Sequence, residues 1–546
     1  MAVRLGSSTP VGLSRERFLR STASNLRQPV AWTRPADWVA FTTPTSAEQK
    51  VIGVVAVYDQ DSNYIALACT VTGGYTVDWG DGTSTTHASA ATAQKNYVFG
   101  DLSAGTLSSR GYRQAVITVT PTTGGATFSA INLNRRHSAT PSTTNITNPW
   151  LDVAVAAPNA TTVEFSYSSG STKTSSMYLC EQVTIVAHNT TTVASMFRDF
   201  RVLQSVPLFN TASVTNMSIM FYQCFSLQTV PLFNTASVTN MGNMFSDCYS
   251  LQTVPLFNTA SVTSMSSMFS NCSSLQTVPL FNTASVTSMS SMFNNCSSLQ
   301  SVPLFNTASV TNMGTMFYLC YSLQTVPLFN TASVTNMSNM FYNCSSLQSV
   351  PLFNTASVTS MSNMFYNCSS LQNIPELNLT KVSTSANNVM AIGGLTSTAA
   401  GNLGQAKLTG MRWTQSFQNC KMGAAQLNEM YTALAVLNPN VTNVTAAAGV
   451  VTYTVADIRA FVAARTVTIT GVNPVAYNLT SVTVGTVTAG AGTTGTFTVT
   501  NAATGTYVSG GIAALQDNRT ITVTGNPGVS GDDTTIATNK GWIVTG

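Results

Sequence analysis

The sequence is short of charge. Lys, Arg, Asp and Glu make up 8% of its 546 residues, against an ordinary share of about 25%. There are three histidines, His87, His137 and His188. Between Val202 and Pro375 a single side chain other than Cys or Tyr ionises, Asp247. Glycoside cleavage needs two carboxyl groups across a bond, and a nucleophile triad needs a histidine. That stretch has neither, so it is expected to hold a ligand rather than transform one, and the chain is read as no enzyme. Long apolar runs are also missing: no run of eighteen exists, so no membrane-spanning helix is expected. The N-terminus "MAVRLGSSTPVGLSRERFLRSTASNLRQP" has arginines but no apolar leader core, and the C-terminus "NKGWIVTG" shows no anchor signal. Such a chain is expected to leave its cell by lysis rather than by the general secretory route. The net charge of +4 is too small to point to nucleic acid or a membrane surface.

What is present is Ser, Thr, Asn, Gly and Ala, a polar but uncharged set common in β-rich extracellular and viral fibrous proteins. Apolar residues reach 44%, enough to build cores. The length exceeds what one core supports and implies three or four domains.

The sequence also repeats itself. "LFNTASVTNMGNMFSDCYSLQTVP" begins at Leu232 and restarts at Leu256 almost letter for letter. Cys224, Cys248, Cys272, Cys296, Cys320, Cys344 and Cys368 stand 24 residues apart, as do Phe221, Phe245, Phe269, Phe293, Phe317, Phe341 and Phe365. A degenerate earlier copy has Phe200 where the others have Cys. Eight stacked coils about 4.8 Å apart give a rod of roughly 40 Å, each coil burying its apolar side against its neighbours. In "SLQTVPLF" the two Leu and the Val are expected to form a short extended segment, interrupted by a Pro that cannot donate to a ladder. "SVTSMSSMFSNC" supplies the second turn of the buried side.

The unit "SVTNMSxMFxxCxSLQxVPLFNTA" resembles the BspA-type leucine-rich repeat over residues 193–377, about a third of the chain. In that family the repeats build adhesive or structural solenoids in bacterial surface proteins, protozoan proteins and phage or prophage structural proteins. The resemblance implies binding.

Three sets of residues are candidates for function. The seven cysteines are expected to form a buried column of thiols packing as hydrophobes. Disulfides between coils or a metal ladder are the alternatives, but no CxxC, CxxH or neighbouring His accompanies them. The near-identical copies differ mainly around "MF" and Cys, at Ile219, Tyr222, Gln223, Phe225, Asp247, Tyr249, Tyr318, Leu319, Tyr321, Tyr342 and Tyr366. These are read as solvent-facing. The aromatics among them, Tyr222, Phe225, Tyr249, Tyr318, Tyr321, Tyr342 and Tyr366, suit a glycan or protein contact; drift on an exposed surface is the other reading. The third set is Asp78 and Asp81. "YTVDWGDGTS…YVF…GYRQAVITVTP" resembles a PKD-like domain, with Trp79-Gly80-Asp81-Gly82 as its turn. An Asp-Gly turn explains the two carboxylates, and calcium is the alternative. The loop "FGDLSAGTLSSRG" is longer than the family pattern.

The expected fold is mainly β with short helices: a PKD-like β-sandwich, a leucine-rich-repeat solenoid, and a capping C-terminal α+β region. Residues 1–47, with six arginines, are read as an attachment arm that orders against a partner protein. Residues 48–122 are the sandwich, 123–192 a β linker and N-terminal solenoid cap, and 193–377 the solenoid. Residues 378–546 are the C-terminal cap, with a β insertion near 475–512. Within it "AAQLNEMYTALAVL" places Leu427, Met430, Leu434 and Leu437 on one helical face, and "VADIRAFVAA" reads as a second helix. In "DDTTIATNKGWIVTG" Asp532 and Asp533 start a helix that precedes a strand. The expected function is that of a non-enzymatic phage virion protein, a tail-associated fibre or adhesin binding a host glycan or protein through the solenoid. A capsid decoration protein and a bacterial surface adhesin are the alternatives. Other virion proteins are the expected partners of the N-terminal arm, with homo-oligomers expected by analogy. No cofactor, nucleic acid or membrane insertion is expected.

Overall fold

The computed structural model describes residues 32–59, 63–139, 146–166, 175–371, 377–378 and 381–382, and short stretches between 408 and 545. The chain divides into two units, 1–34 and Pro35–Gly546. All but three of the first unit's residues lie outside the described set, and the attachment arm expected from the sequence falls largely on them.

The N-terminal part of the second unit is built from strands whose apolar letters alternate or run unbroken. They are β1 (Lys50–Val57), β2 (Asn63–Val71), β3 (Tyr75–Asp78), β4 (Ser84–His87), β5 (Thr92–Tyr97), β6 (Arg113–Pro121), β7 (Phe128–Asn132), β8 (Ile146–Thr147), β9 (Trp150–Ala156), β10 (Thr162–Glu164), β11 (Ser175–Ser176) and β12 (Gln182–Ala187). They form a six-stranded sheet ordered β12-β9-β1-β6-β3-β4 and a four-stranded sheet ordered β10-β7-β2-β5, with β8 and β11 paired separately. Val55, Leu67, Ile117, Phe128, Ile131 and Trp150 belong to one buried core shared by both sheets.

Two boundaries read from the sequence move. Residues 123–192 are no linker: β7, β9, β10 and β12 supply strands to both sheets, and β9 is buried along its whole length beside β1. Residues 35–47 are not all arm. Trp38 is buried and its Nε1 donates to the Tyr112 hydroxyl at 2.9 Å, while Asp37 Oδ2 accepts from the Ser109 backbone and hydroxyl, both at 2.7 Å. The long loop before β6 folds as two 3₁₀ turns, Phe99–Asp101 and Ala104–Thr106, and Arg113 donates to the Phe99 and Leu102 carbonyls at 2.8 and 2.6 Å. This fixes β6, which pairs with both β1 and β3.

In the Trp79–Gly82 turn Trp79 is buried and donates to Thr85 Oγ1 at 2.8 Å. Gly80 has a φ of +71°, and a Cβ there would lie 2.4 Å from the Val116 carbonyl. Only glycine meets both conditions. Asp78 accepts from the Gly80 backbone N–H at 2.9 Å, and Asp81 accepts from the Thr83 N–H at 3.0 Å and pairs with Lys95 at 2.5 Å. Both carboxylates are thus engaged by their own turn. Burial raises the pKa of Asp81, but the Lys95 and Thr83 bonds outweigh it and hold it below the usual value.

The solenoid follows directly on the sandwich. Phe165 stacks on Phe197 at 5.9 Å and the Ser166 hydroxyl donates to the Ser195 carbonyl, while Ala157 and Asn189 tie the end of β9 and the turn after it to the segment after β12. Residues 123–192, read as the N-terminal solenoid cap, thus lie against the first coil, but as strands of the sandwich. Eight coils follow, marked by parallel bridges from Thr192 through Asn216 to Ser360. These bridges fall before "M", not in "SLQTVPLF". In each coil Phe–x–x–Cys and the residues before it send backbone N–H groups to the next coil; Met217, Ile219, Phe221 and Gln223 reach Asn240, Gly242, Met244 and Ser246 at 2.9–3.0 Å. The Pro-containing segment contributes two bonds, both back to the previous coil, Ser226 to Arg201 at 3.1 Å and Gln228 to Gln204 at 2.9 Å, because it cannot donate along its whole length.

The core letters of each coil point inward. In one coil Val238, Met241, Met244, Phe245, Cys248, Leu251, Val254 and Phe257 are buried. The Phe column stacks at 5.3 to 5.8 Å between neighbours. Thr259 is buried too, and its hydroxyl donates to the Asn282 carbonyl of the next coil at 2.8 Å. A polar letter in the core is satisfied, as burial requires.

Past Pro375 the stacking continues for at least one more step. Leu377 is buried, Asn378 accepts from Thr355, and Leu377–Asn378 pairs in parallel with Leu408–Thr409. Among the described residues further on, strands Val441–Ala447, Val450–Val455, Gly495–Thr500 and Val487–Ala489 make one antiparallel sheet around Tyr453 and Phe497. The β segment expected as an insertion is therefore woven into the region's own sheet. Thr535–Thr538 is a helical turn and Ile543–Thr545 a strand, in the order the sequence suggests. The helix bearing Leu427, Met430, Leu434 and Leu437, most of "VADIRAFVAA", and Asp532 and Asp533 lie outside the described residues.

Candidate binding faces of the solenoid

Two positions in each coil adopt a left-handed backbone: the residue before the "MF" pair and the residue before Cys. They run from Ser195 and Asp199 to Asn363 and Asn367, with φ between 52° and 66°. Asn, Asp and Gly tolerate this conformation; Ile219, Thr315 and Leu319 adopt it as well, although β-branched and bulky side chains are disfavoured there. Several of the variable letters of the repeat therefore sit where the backbone, not the ligand, sets the first constraint. The column before Cys also forms an amide ladder. Asn271 donates to Asp247 at 2.7 Å, Asn295 to Asn271 at 2.8 Å and Asn367 to Asn343 at 2.8 Å, with Leu319 interrupting the row. Asp247, read as solvent-facing, is 9% exposed; the ladder draws it in.

The seven aromatic candidates fall into two clusters rather than one row. Near the sandwich, Phe225 and Tyr249 stack at 5.0 Å, the Arg201 guanidinium lies 5.3 Å from Phe225 and 4.1 Å from Tyr178, and Arg198 lies 5.3 Å from Tyr222. Beside them burial raises the Asp199 carboxyl above its ordinary pKa, against the pull of Arg198 and Arg201. The sequence reading missed both arginines, because the degenerate coil places them in the columns that later hold aromatics. Coils carrying Ser270 and Asn294 separate this cluster from the second.

In the second cluster Tyr318, Tyr342 and Tyr366 stack in one column, each 4.7 Å from the next. Tyr321, 42% exposed, stands in the neighbouring column. Burial first, and then the neighbouring phenols, raise the pKa of Tyr342. The result is a flat aromatic strip with hydroxyls at its rim, beside the amides of Asn343 and Asn367. Such a strip offers apolar faces and hydrogen bonds together.

The cysteine column carries no free chemistry. Cys224 to Cys368 are all buried and unpaired by disulfides. Each thiol donates to the carbonyl of the previous coil's core Phe, as Cys296 does to Phe269 at 3.0 Å. Burial pushes the thiols well up, Cys320 and Cys368 to about 12. Thiolate, the form that reacts and binds metal, is thereby suppressed. Among the described residues no group of three or more His, Cys, Asp or Glu side chains is placed to hold a metal, and no helix is long and apolar enough to cross a membrane.

A family profile described as "Mycoplasma protein of unknown function, DUF285" matches residues 191–304 and 298–395, less than half of the chain. The match falls on the 24-residue units and supports their reading as a BspA-type leucine-rich-repeat array. It does not reach residues 48–122. Among solved structures the chain is similar to a leucine-rich repeat protein from Eubacterium ventriosum at 15% identity and a TM-score of 0.21, covering 44% of this chain and 83% of that one. No curated protein matches the sequence.

Proposed function

We propose that the protein is a non-enzymatic virion component of a bacteriophage, a tail-associated fibre or adhesin whose solenoid binds a glycan or protein on the host surface. The observation that carries the binding role is the aromatic strip of Tyr318, Tyr342 and Tyr366 with Tyr321 beside it. A stack of phenol rings on a stiff rod is costly to expose unless something covers it, and it suits the flat faces of sugar rings or of a peptide. The virion assignment rests on the uncharged surface, the family resemblance of the repeat and the resemblance of residues 48–122 to PKD-like modules. In this reading residues 1–31 join the protein to other virion proteins, and the particle is released by host lysis.

Replacing Tyr318, Tyr321, Tyr342 and Tyr366 with Ser is expected to abolish host adsorption while the solenoid stays folded. Unchanged adsorption by the folded variant refutes the binding face. Immunogold labelling of particles with antibody to residues 203–372 tests the location: label at a tail tip supports the assignment. Label spread over a capsid, or on cell envelopes without particles, overturns it.

A further inference from the structure

Seven coils contain the turn Pro–Leu–Phe, and in the five from Phe233 to Phe329 it is closed by a hydrogen bond from the Phe N–H to the Pro carbonyl, as Phe257 to Pro255 at 3.0 Å. The central residue of so tight a turn sits at its apex. Its leucine therefore points outward while the following Phe is buried. From Leu208 to Leu352 seven leucines, one per coil, are each 58–63% exposed. These invariant leucines form an apolar ridge along the rod.

We propose that this ridge is the interface between two copies of the chain, packed face to face about a two-fold axis. The extent fits: seven leucines at this exposure offer on the order of 700 Å² of apolar surface, close to the roughly 800 Å² that each partner contributes to a standard stable interface. A monomer rarely leaves that much contiguous apolar surface in water. The chemistry of the flanks selects the occupant. Half-buried prolines lie on one side and exposed asparagines such as Asn258 and Asn282 on the other, and the only carboxylate between Val202 and Pro375 is the buried Asp247. A charged partner gains nothing from that surface, and a second copy meets no like charge. The prolines lack an N–H, so a peptide strand adding along this side would find no continuous row of donors. The ridge also repeats with the step of the coils, which a second identical solenoid matches leucine for leucine. Once two ridges cover each other none remains exposed, so the assembly closes at the dimer instead of growing into a filament.

Light scattering coupled to size exclusion of the full chain at micromolar concentration tests this, alongside the variant Leu256→Ser/Leu280→Ser/Leu304→Ser. The expected result is twice the chain mass for the parent and a single chain mass for the variant, with matching circular dichroism. A second variant guards against misfolding. Leu280 is the middle leucine of the seven, so Leu280→Cys in a Cys420→Ser background faces its own counterpart in either two-fold orientation and is expected to form an interchain disulfide under mild oxidation. The described native cysteines are buried and do not compete. A monomeric parent, an oligomer unchanged by the triple substitution, or failure of Leu280→Cys to cross-link overturns the proposal.

Discussion

Raising the pH should unfold the solenoid abruptly, and the cause is the cysteine column. In the folded chain burial keeps the thiols of Cys224 through Cys368 protonated far above their ordinary range. In the unfolded chain they titrate near 8.5. Above that pH the unfolded chain has shed protons that the folded chain retains, so stability falls as pH rises. Each thiol loses about 1.4 kcal/mol per pH unit in that window. Seven acting together lose on the order of 10 kcal/mol per unit, which is comparable to the whole stability of an ordinary domain. Below about pH 8 the column contributes its full stabilisation. Urea unfolding followed by circular dichroism from pH 7 to 10.5, with reductant present, is expected to show a midpoint that is level to about pH 8 and then collapses. The variant Cys272→Ala/Cys320→Ala should be less stable at pH 7 but lose about two sevenths of the slope. A urea midpoint unchanged between pH 8 and 10 would refute the reasoning, because it would mean that the thiols ionise as readily in the folded coils as outside them.

Leu319→Asn is expected to stabilise the solenoid. It relieves a left-handed leucine, worth about 1–2 kcal/mol, and allows two amide bonds, to Asn295 and Asn343, at about 1 kcal/mol net each. Against this stands roughly 1 kcal/mol of lost apolar burial, so a net gain of about 2–3 kcal/mol should appear as a higher urea midpoint; a lower one contradicts the ladder. Phe293→Ala removes a ring stacked at 5.7 Å on both Phe269 and Phe317. A loss of about 5 kcal/mol follows from the cavity and the two stacking contacts, and a loss under about 2 kcal/mol would show that the column is not continuous. Gly80→Ala should destabilise the sandwich by more than about 2 kcal/mol, since it meets both a positive φ and the Val116 carbonyl; thermal unfolding of the variant checks it.

The sequence alone determined the 24-residue coil, its number of copies and most of its inside. Near-identical copies must stack in register, so Phe, Met, Cys, Val and the first Leu of each unit have one another as their only apolar neighbours. The Trp79–Gly82 turn was legible for a similar reason, because its glycines answer a local backbone demand. Three features depended on contacts that no local pattern encodes. The edge of the sandwich was misplaced because β9 and β12 join its six-stranded sheet from beyond residue 122, and pairing across that distance leaves no periodic mark. Variable letters such as Asp247 and Leu319 looked free because they differ among copies, whereas the left-handed backbone and the amide ladder constrain them. The second leucine of "SLQTVPLF" was read only as part of a short extended segment, and that reading does not say which way its side chain points. The tight Pro–Leu–Phe turn, closed by a hydrogen bond in five coils, sets it outward, and seven leucines exposed in this way decide which face of the rod is left for another molecule.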